Sequence, residues 1–408
     1  MKDNEHFGAN LDQAMKITQI EMDEGIGLIG LDQTTGITYD EVNNQWVRRT
    51  PALVTEPPIE PPVPVPHPFP TLKFFEDGWR GRFMWTRAML ETPEGNVIGL
   101  PYRGRTRKDN EWDDYVGMEI EGDKADNRIF ERGGYIGSLK TSTGLQVACS
   151  SNPQAASGLA FYEDGDFTWD SQCWPQSRSI AEGPNGDLYA ITYTRDPKIS
   201  KIDPTTKAFS NLPYERGPIS SRIPHWGAVG FKYKSGQRGC FVLPWQGEKT
   251  GVIFPRSASM VGAAELPEII SGGRLNKFSH GVDTHTDWVA CIPREVDYVL
   301  MINKETYEQV EVPLPPGLLK LLGDMPRSFG CFVEPGSGLV GNCPFGSGIY
   351  WRFNVEDRTF DWKDYSKQFE ASGAKYGGTG VSSEALVIDN RVYLGPGEGA
   401  AGYFDFTP

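Results

Sequence analysis

From Leu72 to the carboxyl terminus the chain alternates short apolar runs with Gly, Pro, Asn and Asp, and no long helical period develops there. Runs of this kind, bounded by turn formers, predict short β-strands. One phrase returns at a nearly fixed interval: an apolar run that ends in Pro or a small residue, usually beside an aromatic. It reads Val97-Ile98-Gly99-Leu100-Pro101-Tyr102, Cys240-Phe241-Val242-Leu243-Pro244-Trp245, Val289-Ala290-Cys291-Ile292-Pro293, Val340-Gly341-Asn342-Cys343-Pro344-Phe345 and Val392-Tyr393-Leu394-Gly395-Pro396. The marker prolines are 143, 49, 51 and 52 residues apart, and the runs 145–150 and 188–193 fill the long first step. Seven copies predict a seven-bladed, all-β propeller, because a four-stranded blade takes roughly 40–50 residues.

A second marker supports the period. In the third copy, residues 179–182 predict an inner strand, Pro184-Asn185-Gly186-Asp187 a turn, 188–193 a second strand and 199–202 a third. That third strand ends in Asp203, and the same ending returns at Asn303, Asn354 and Asp405, 9 to 11 residues after the first marker. Short outer strands are expected at 307–312 and 359–362, and 315–322 has room for a turn or two of helix. The last copy stops at Pro408 after its third strand. An open edge invites pairing with other chains, so Leu72-Lys73-Phe74-Phe75, just ahead of a first blade starting near Arg82, is expected to supply the missing strand.

The first seventy residues differ in kind. Residues 10–21 allow a short amphipathic helix, with Leu11, Ala14 and Met15 on one side; Ile26 to Tyr39 reads as an extended segment and turn, with Trp46 and Val47 beyond. Residues 51–70 then hold nine prolines, a composition that favours polyproline II and acts as a semi-rigid spacer. The expected layout is a docking segment over 1–50, a Pro-rich linker over 51–70 and the propeller over 71–408. A disordered tail is the alternative for the head, against which stand the apolar residues between Ile26 and Ile37.

Composition adds limits. The 47 Gly, 31 Pro and 12% aromatic residues among 408 suit many short strands joined by tight turns. No run approaches the roughly 18 apolar residues of a membrane-crossing helix, and the opening residues lack the apolar core of a signal peptide. A net charge of −14 opposes nonspecific nucleic-acid binding. The basic run from Arg103 to Lys108 continues into an acidic one at 109–114, which reads as an exposed contact loop. Cys149, Cys240, Cys291 and Cys343 sit in or beside second strands, where small buried residues fit; Cys173 and Cys331 are isolated, and no zinc pattern occurs.

The repeats at 188–206 and 289–306, an apolar strand followed by a strand ending in Asp or Asn, resemble propeller families of the Kelch and NHL kind. They lack the Gly-Gly and spaced Tyr/Trp of Kelch blades and the Trp-Asp of WD blades, so no functional residue carries over. The whole layout, a leader, a Pro-rich stalk and a ring of blades, is similar to virion proteins of tailed bacteriophages such as fibre, knob or tail-tip components. That resemblance implies assembly in a host cytoplasm, a place in the virion, and other virion proteins as partners.

Three sets of residues are candidates for chemistry. Arg82, Arg178, His225, His280 and Arg327 stand at blade entrances, where they would ring one mouth of the channel and hold a carboxylate or phosphate. Some propellers resemble lactonases with a divalent metal in the channel; Glu182, Asp283 and Glu384, with Asn276 as an outlier, would suit calcium or magnesium. In the run His280-Gly281-Val282-Asp283-Thr284-His285, residues 283 and 285 would share a face if extended, giving a base oriented by a carboxylate. Trp112, Trp174, Trp226 and Trp245 in or near connecting loops are candidates for sugar stacking or protein contact. The favoured reading is a non-enzymatic recognition component, without cofactor, that docks through residues 1–50 as part of an oligomer and contacts protein or host-surface glycan. The alternative is a metal-dependent hydrolase using the channel.

Overall fold

The computed structural model describes residues 37–40, 45–48, 67–78, 80–81, 86–101, 107–108, 111–112, 115–150, 158–170, 177–192, 199–212, 225–244, 249–253, 264–268, 278–325, 327–344, 347–373, 382–396 and 399–407. The chain forms two compact units, Met1–Val65 and Pro66–Pro408. In the first, Ile37–Asp40 pairs antiparallel with Gln45–Arg48, which sets Tyr39 opposite Trp46. The helix expected over 10–21 and the extended run from Ile26 lie outside the described residues.

The second unit is a β-propeller. Its sheets, named A to G in chain order, begin with the innermost strands Thr86–Glu91, Tyr135–Lys140, Ser177–Glu182, His225–Lys232, Phe278–Asp283, Cys331–Val333 and Ser382–Ile388. Each innermost strand packs on the next, and that of G packs on that of A, which closes the ring. Sheet C follows the sequence closely: Ser177–Glu182, Leu188–Thr192, Ile199–Ile202 and Phe209–Leu212 pair in order as an antiparallel meander.

The expectation of a seven-bladed propeller needs correction: six sheets are four-stranded blades. Sheets B to G are four-stranded, whereas sheet A has five strands, the fifth being Glu76–Gly78, parallel to the outer strand Lys124–Phe130. The cause lies in how the ring is fastened. Thr71–Phe74 pairs antiparallel with Gly402–Asp405 and supplies the missing outer strand of G; the chain then runs on beside A. One segment therefore straps both sides of the seam. Between its two strands the Phe75 N–H donates to the Ala401 carbonyl at 3.1 Å, and the Phe75 ring stacks on Tyr393 and tilts against Tyr403.

Local chemistry explains both sequence markers. Asp203 and Asn303 each accept, on their Oδ1, the backbone N–H groups two and three residues on, at 2.8 to 3.1 Å. Asn354 does the same for Glu356 and Asp357. A short side chain that satisfies two turn donors is what this bend requires. The marker prolines 101, 244, 293 and 396 end their second strands, each opposite the first residue of an innermost strand. A residue without an N–H costs least at such a ladder end. The hairpins joining first and second strands reuse one geometry, with Gly95, Gly144, Gly186 and Gly236 at φ 84, 91, 81 and 83°, where a side chain is disfavoured.

The core lies between the sheets. Val147, Cys149, Phe161, Ile180, Leu188 and Ile202 pack between B and C, and Val229, Phe241, Phe278, Val289, Cys291 and Leu300 between D and E. The four second-strand cysteines are buried thiols as expected; burial pushes the Cys240 thiol up to about 12. Cys331 is buried too, and Cys173 lies outside the described residues. The helix expected near 315–322 is Pro316–Leu322, and a second short helix spans Ser366–Ala371. Among the described residues no helix is long and apolar enough to cross a membrane.

The strap carries a pH dependence. Lys73 of the strap and Thr407 donate to the largely buried Asp405, which holds its carboxyl down at about 2. A carboxyl depressed by folding stabilises above its ordinary value near 4 and loses that contribution as pH falls toward 2. Asp405→Asn is therefore expected to be less stable than the parent at pH 6, with the difference narrowing by pH 2. Urea unfolding across that range measures it; a difference independent of pH would refute the assignment.

Candidate functional site

The two ends of the ring are built differently. At one end first and second strands are joined by the short turns 92–96, 141–145, 183–187, 233–237, 284–287, 334–339 and 389–390. At the other end leave the connections between second and third strands and those between sheets, including 213–224, 314–330 and 365–381.

Side-chain bonds cross between sheets at the short-turn end. Glu182, buried, accepts the Ser142 N–H at 2.8 Å and its hydroxyl at 2.5 Å from sheet B, and pairs with Arg238 of D at 3.0 Å. Asp283 pairs with Lys304 at 2.6 Å and accepts the Lys232 N–H of sheet D at 3.1 Å. Lys140 of B reaches Glu91 of A at 2.5 Å. These bonds fasten neighbouring sheets and occupy the carboxylates that take part.

At the opposite end six innermost strands carry the same irregularity. Each holds one extra residue between its first and second pairings with the neighbouring strand: Arg87 in A, Ile136 in B, one within Arg178-Ser179 in C, Trp226 in D, Ser279 in E and Ser383 in G. Such bulges bend the strand and re-aim side chains, and they recur at rims and beside sites. Sheet F differs: there the Ser328 hydroxyl donates to the Gly330 carbonyl at 2.7 Å, and the Cys343 N–H reaches that same carbonyl at 2.9 Å. In C the Ser179 hydroxyl accepts the Ala228 N–H of D at 2.6 Å, so the bulge also ties two sheets.

The predicted residues sort onto this frame unequally. Arg178 lies in the bulge of C, His225 opens the innermost strand of D, Trp226 is its bulge, and His280 follows the bulge of E. The fold thus places these four at the bulged mouth. His280 is enclosed yet partly accessible, and loss of solvent lowers it to about 4, so it is neutral at pH 7. At the mouth it therefore offers a neutral hydrogen-bonding group. Arg327 is already engaged. It is buried ahead of the innermost strand of F, bonded to Asp297 at 2.8 Å and to the Gly323 and Met325 carbonyls, so an anion would have to displace an ion pair. Arg82 lies outside the described residues.

Trp112 pairs with Arg107 in a small hairpin, Arg107–Lys108 against Glu111–Trp112, within the connection 102–114. Trp174 and Trp245 lie outside the described residues, but the strand ends that bracket them belong to this same end.

The metal set does not converge. Glu182 and Asp283 are the last residues of their strands, at the short-turn end, while Glu384 sits just past the bulge of G at the other. A six-residue strand at 3.3 Å per residue separates the two ends by about 17 Å. Asn276 lies outside the described residues, among which no three His, Cys, Asp or Glu are grouped to hold a metal. The pairing of Asp283 with His285 fails as well. His285 is exposed in the turn at φ 61°, and its backbone N–H, not its ring, donates to Asp283 at 3.0 Å.

No family model and no curated protein matches the chain. Solved structures do. A catalytically inactive histidine-to-alanine variant of virginiamycin B lyase from Staphylococcus aureus, determined with quinupristin, is 13% identical, with a TM-score of 0.59 over 82% of this chain and 99% of that one. The extracellular domain of a putative one component system from B. thetaiotaomicron is 8% identical, with a TM-score of 0.57 over 82% of this chain and 40% of that one. YCF48 from Cyanidioschyzon merolae is 11% identical, at 0.53 over 82% and 99%. At these identities the likeness establishes the propeller fold alone.

Proposed function

We propose that the protein is a recognition component of a larger assembly, binding its ligand at the bulged mouth of the propeller. The observation that carries this is the repeated bulge, which recurs at one end of six innermost strands, while at the other end the carboxylates of Glu182 and Asp283 are taken up by bonds to neighbouring groups. Sheet A, packed between G and B, serves in this reading as the seventh blade. Residues 1–50 dock on a partner protein of the assembly, and the Pro-rich tract spaces the propeller from it. The most specific form, a virion protein of a tailed phage that contacts a host-surface glycan, draws on this layout.

Arg178, His225, His280 and Trp226 together suit an acidic sugar: cationic and neutral donors for its carboxylate, and an indole for its ring. Metal-dependent hydrolysis is the weaker reading, because two of its carboxylates are fastened to neighbouring sheets and the third lies at the other end.

Calorimetric titration of the full chain with a uronic-acid oligosaccharide is the test. Arg178→Ala and Trp226→Ala are each expected to weaken binding about tenfold or more, the loss of one charge-assisted contact or stacking surface, with the thermal midpoint nearly unchanged. Binding that ignores both substitutions would move the site elsewhere. Calcium-dependent turnover of a lactone panel would restore the hydrolase.

A further inference from the structure

The four residues ahead of the strap, His67-Pro68-Phe69-Pro70, belong to no sheet, yet side chains of sheet F and of the connection that follows it hold them closely. Arg352 donates to the His67 carbonyl at 2.6 Å and to the Pro68 carbonyl at 3.2 Å. The Tyr365 hydroxyl donates to the Pro70 carbonyl. The Phe69 ring lies 4.1 Å from the Arg352 guanidinium and 6.0 Å from the Lys363 ammonium, with the Tyr350 ring edge-on at 6.4 Å.

The reading side chains are themselves fixed. Arg352 and Tyr365 are each 1% exposed. Asp361 pairs with Arg352 at 3.0 Å and Glu334 does so at 3.6 Å, and the Glu334 carboxylate also accepts the Tyr350 hydroxyl and that of Ser337. Proline offers a carbonyl and no N–H, and each of these three hydrogen bonds runs from a side-chain donor of the groove to a carbonyl of the segment. An aromatic-lined surface with such donors is how proline-rich peptides are commonly read, and prolines lower the entropy lost when the peptide is held.

We propose that Arg352, Lys363, Tyr350 and Tyr365 form a recognition groove for a proline-flanked aromatic peptide, filled in this chain by its own residues 67–70. The groove is separate from the bulged mouth and does not depend on the reading given for it. Its effect is to fix the point at which the Pro-rich tract joins the propeller, next to the strap.

The test weakens the groove's own occupant, removing its ring and its prolines, without touching the walls, and the protein so changed is called emptied. The full chain carrying Pro68→Gly, Phe69→Ser and Pro70→Gly keeps the strap strand and all four reading residues. A fluorescent peptide of residues 61–70 is titrated into it and into the parent protein, with anisotropy as the readout and a thermal melt to show that both are folded. The peptide is expected to bind the emptied protein at least about tenfold more tightly than the parent, whose groove is filled. Adding Tyr365→Phe, or changing the peptide's Phe69→Ser, is expected to weaken binding several-fold. Equal binding to both proteins, no binding to the folded emptied protein, or indifference to the peptide's phenylalanine would each overturn the proposal. If the triple substitution unfolds the chain, Phe69→Ala alone takes its place under the same criteria.

Discussion

Replacing Arg352 with methionine is expected to lower the unfolding free energy by about 3–5 kcal/mol, the scale for breaking a buried ion pair from one side. Arg352 and Glu334 are both nearly inaccessible, and the guanidinium also holds Asp361 and the carbonyls of residues 67 and 68. Methionine fills much of the same space, so the cost falls mainly on the carboxylate left behind. Burial already raises Glu334 above the usual carboxylate range, with Ser337, Tyr350 and Arg352 pulling it back. Without Arg352 it rises further. A carboxyl raised by folding is best tolerated below its ordinary value and becomes a liability as pH climbs through the folded one. The deficit of Arg352→Met should therefore shrink on acidification from pH 7.5 to 5. Adding Glu334→Gln should recover part of the loss at pH 7.5, since the pair then leaves no buried charge. Urea unfolding of the single and double variants measures both effects. A deficit unchanged by pH and by the second substitution would mean that Arg352 acts through packing alone.

The sequence disclosed the repeat because its markers answer to local chemistry. An Asp or Asn that caps two turn N–H groups, and a Pro at a ladder end, are needed wherever that bend or that end occurs, so both recur with the period. The missing outer strand of G was legible for a similar reason, since an apolar run ahead of the first blade and an open edge at the last call for each other. The bulges were not legible. Each is one unpaired residue in one strand, and the positions hold Arg87, Ile136, Trp226, Ser279 and Ser383, which share no common residue type. A shift of register leaves no compositional trace when each side chain answers to a different neighbour.

The metal candidates were misplaced because nearness to a blade start does not distinguish the two ends of a short strand. Glu182 and Asp283 carried the acidic signal, but the fold spends it on Ser142, Arg238, Lys232 and Lys304. Arg352 gave a signal that the repeat absorbed. It is a lone charge inside the aromatic run from Ile349 to Phe353, and its partners lie nine residues on at Asp361, 18 residues back at Glu334 and far away at His67. A buried charge inside a strand requires a partner, yet sequence spacing does not say which.

The strap supplies the other large effect. A chain beginning at Pro66 retains residues 67–78 and is expected to be folded and monodisperse. A chain beginning at Glu76 keeps the parallel strand on A but loses Thr71–Phe74, Phe75 and the segment held by Arg352. Fully burying one large apolar side chain is worth roughly 1.5–3 kcal/mol, and this cut removes buried Phe75 and half-buried Leu72 and Phe74. It also leaves Asp405 without Lys73, Arg352 without two carbonyls, and Gly402–Asp405 as an open edge of G. An unpaired edge strand seeks another strand, so the shorter chain is expected to melt well below the longer one and to self-associate as concentration rises. Light scattering after size-exclusion chromatography, with a thermal melt of each, decides the matter. Equal mass and equal midpoint for the two chains would show that the ring is held by its sheet-to-sheet packing and that the strap adds nothing to its closure.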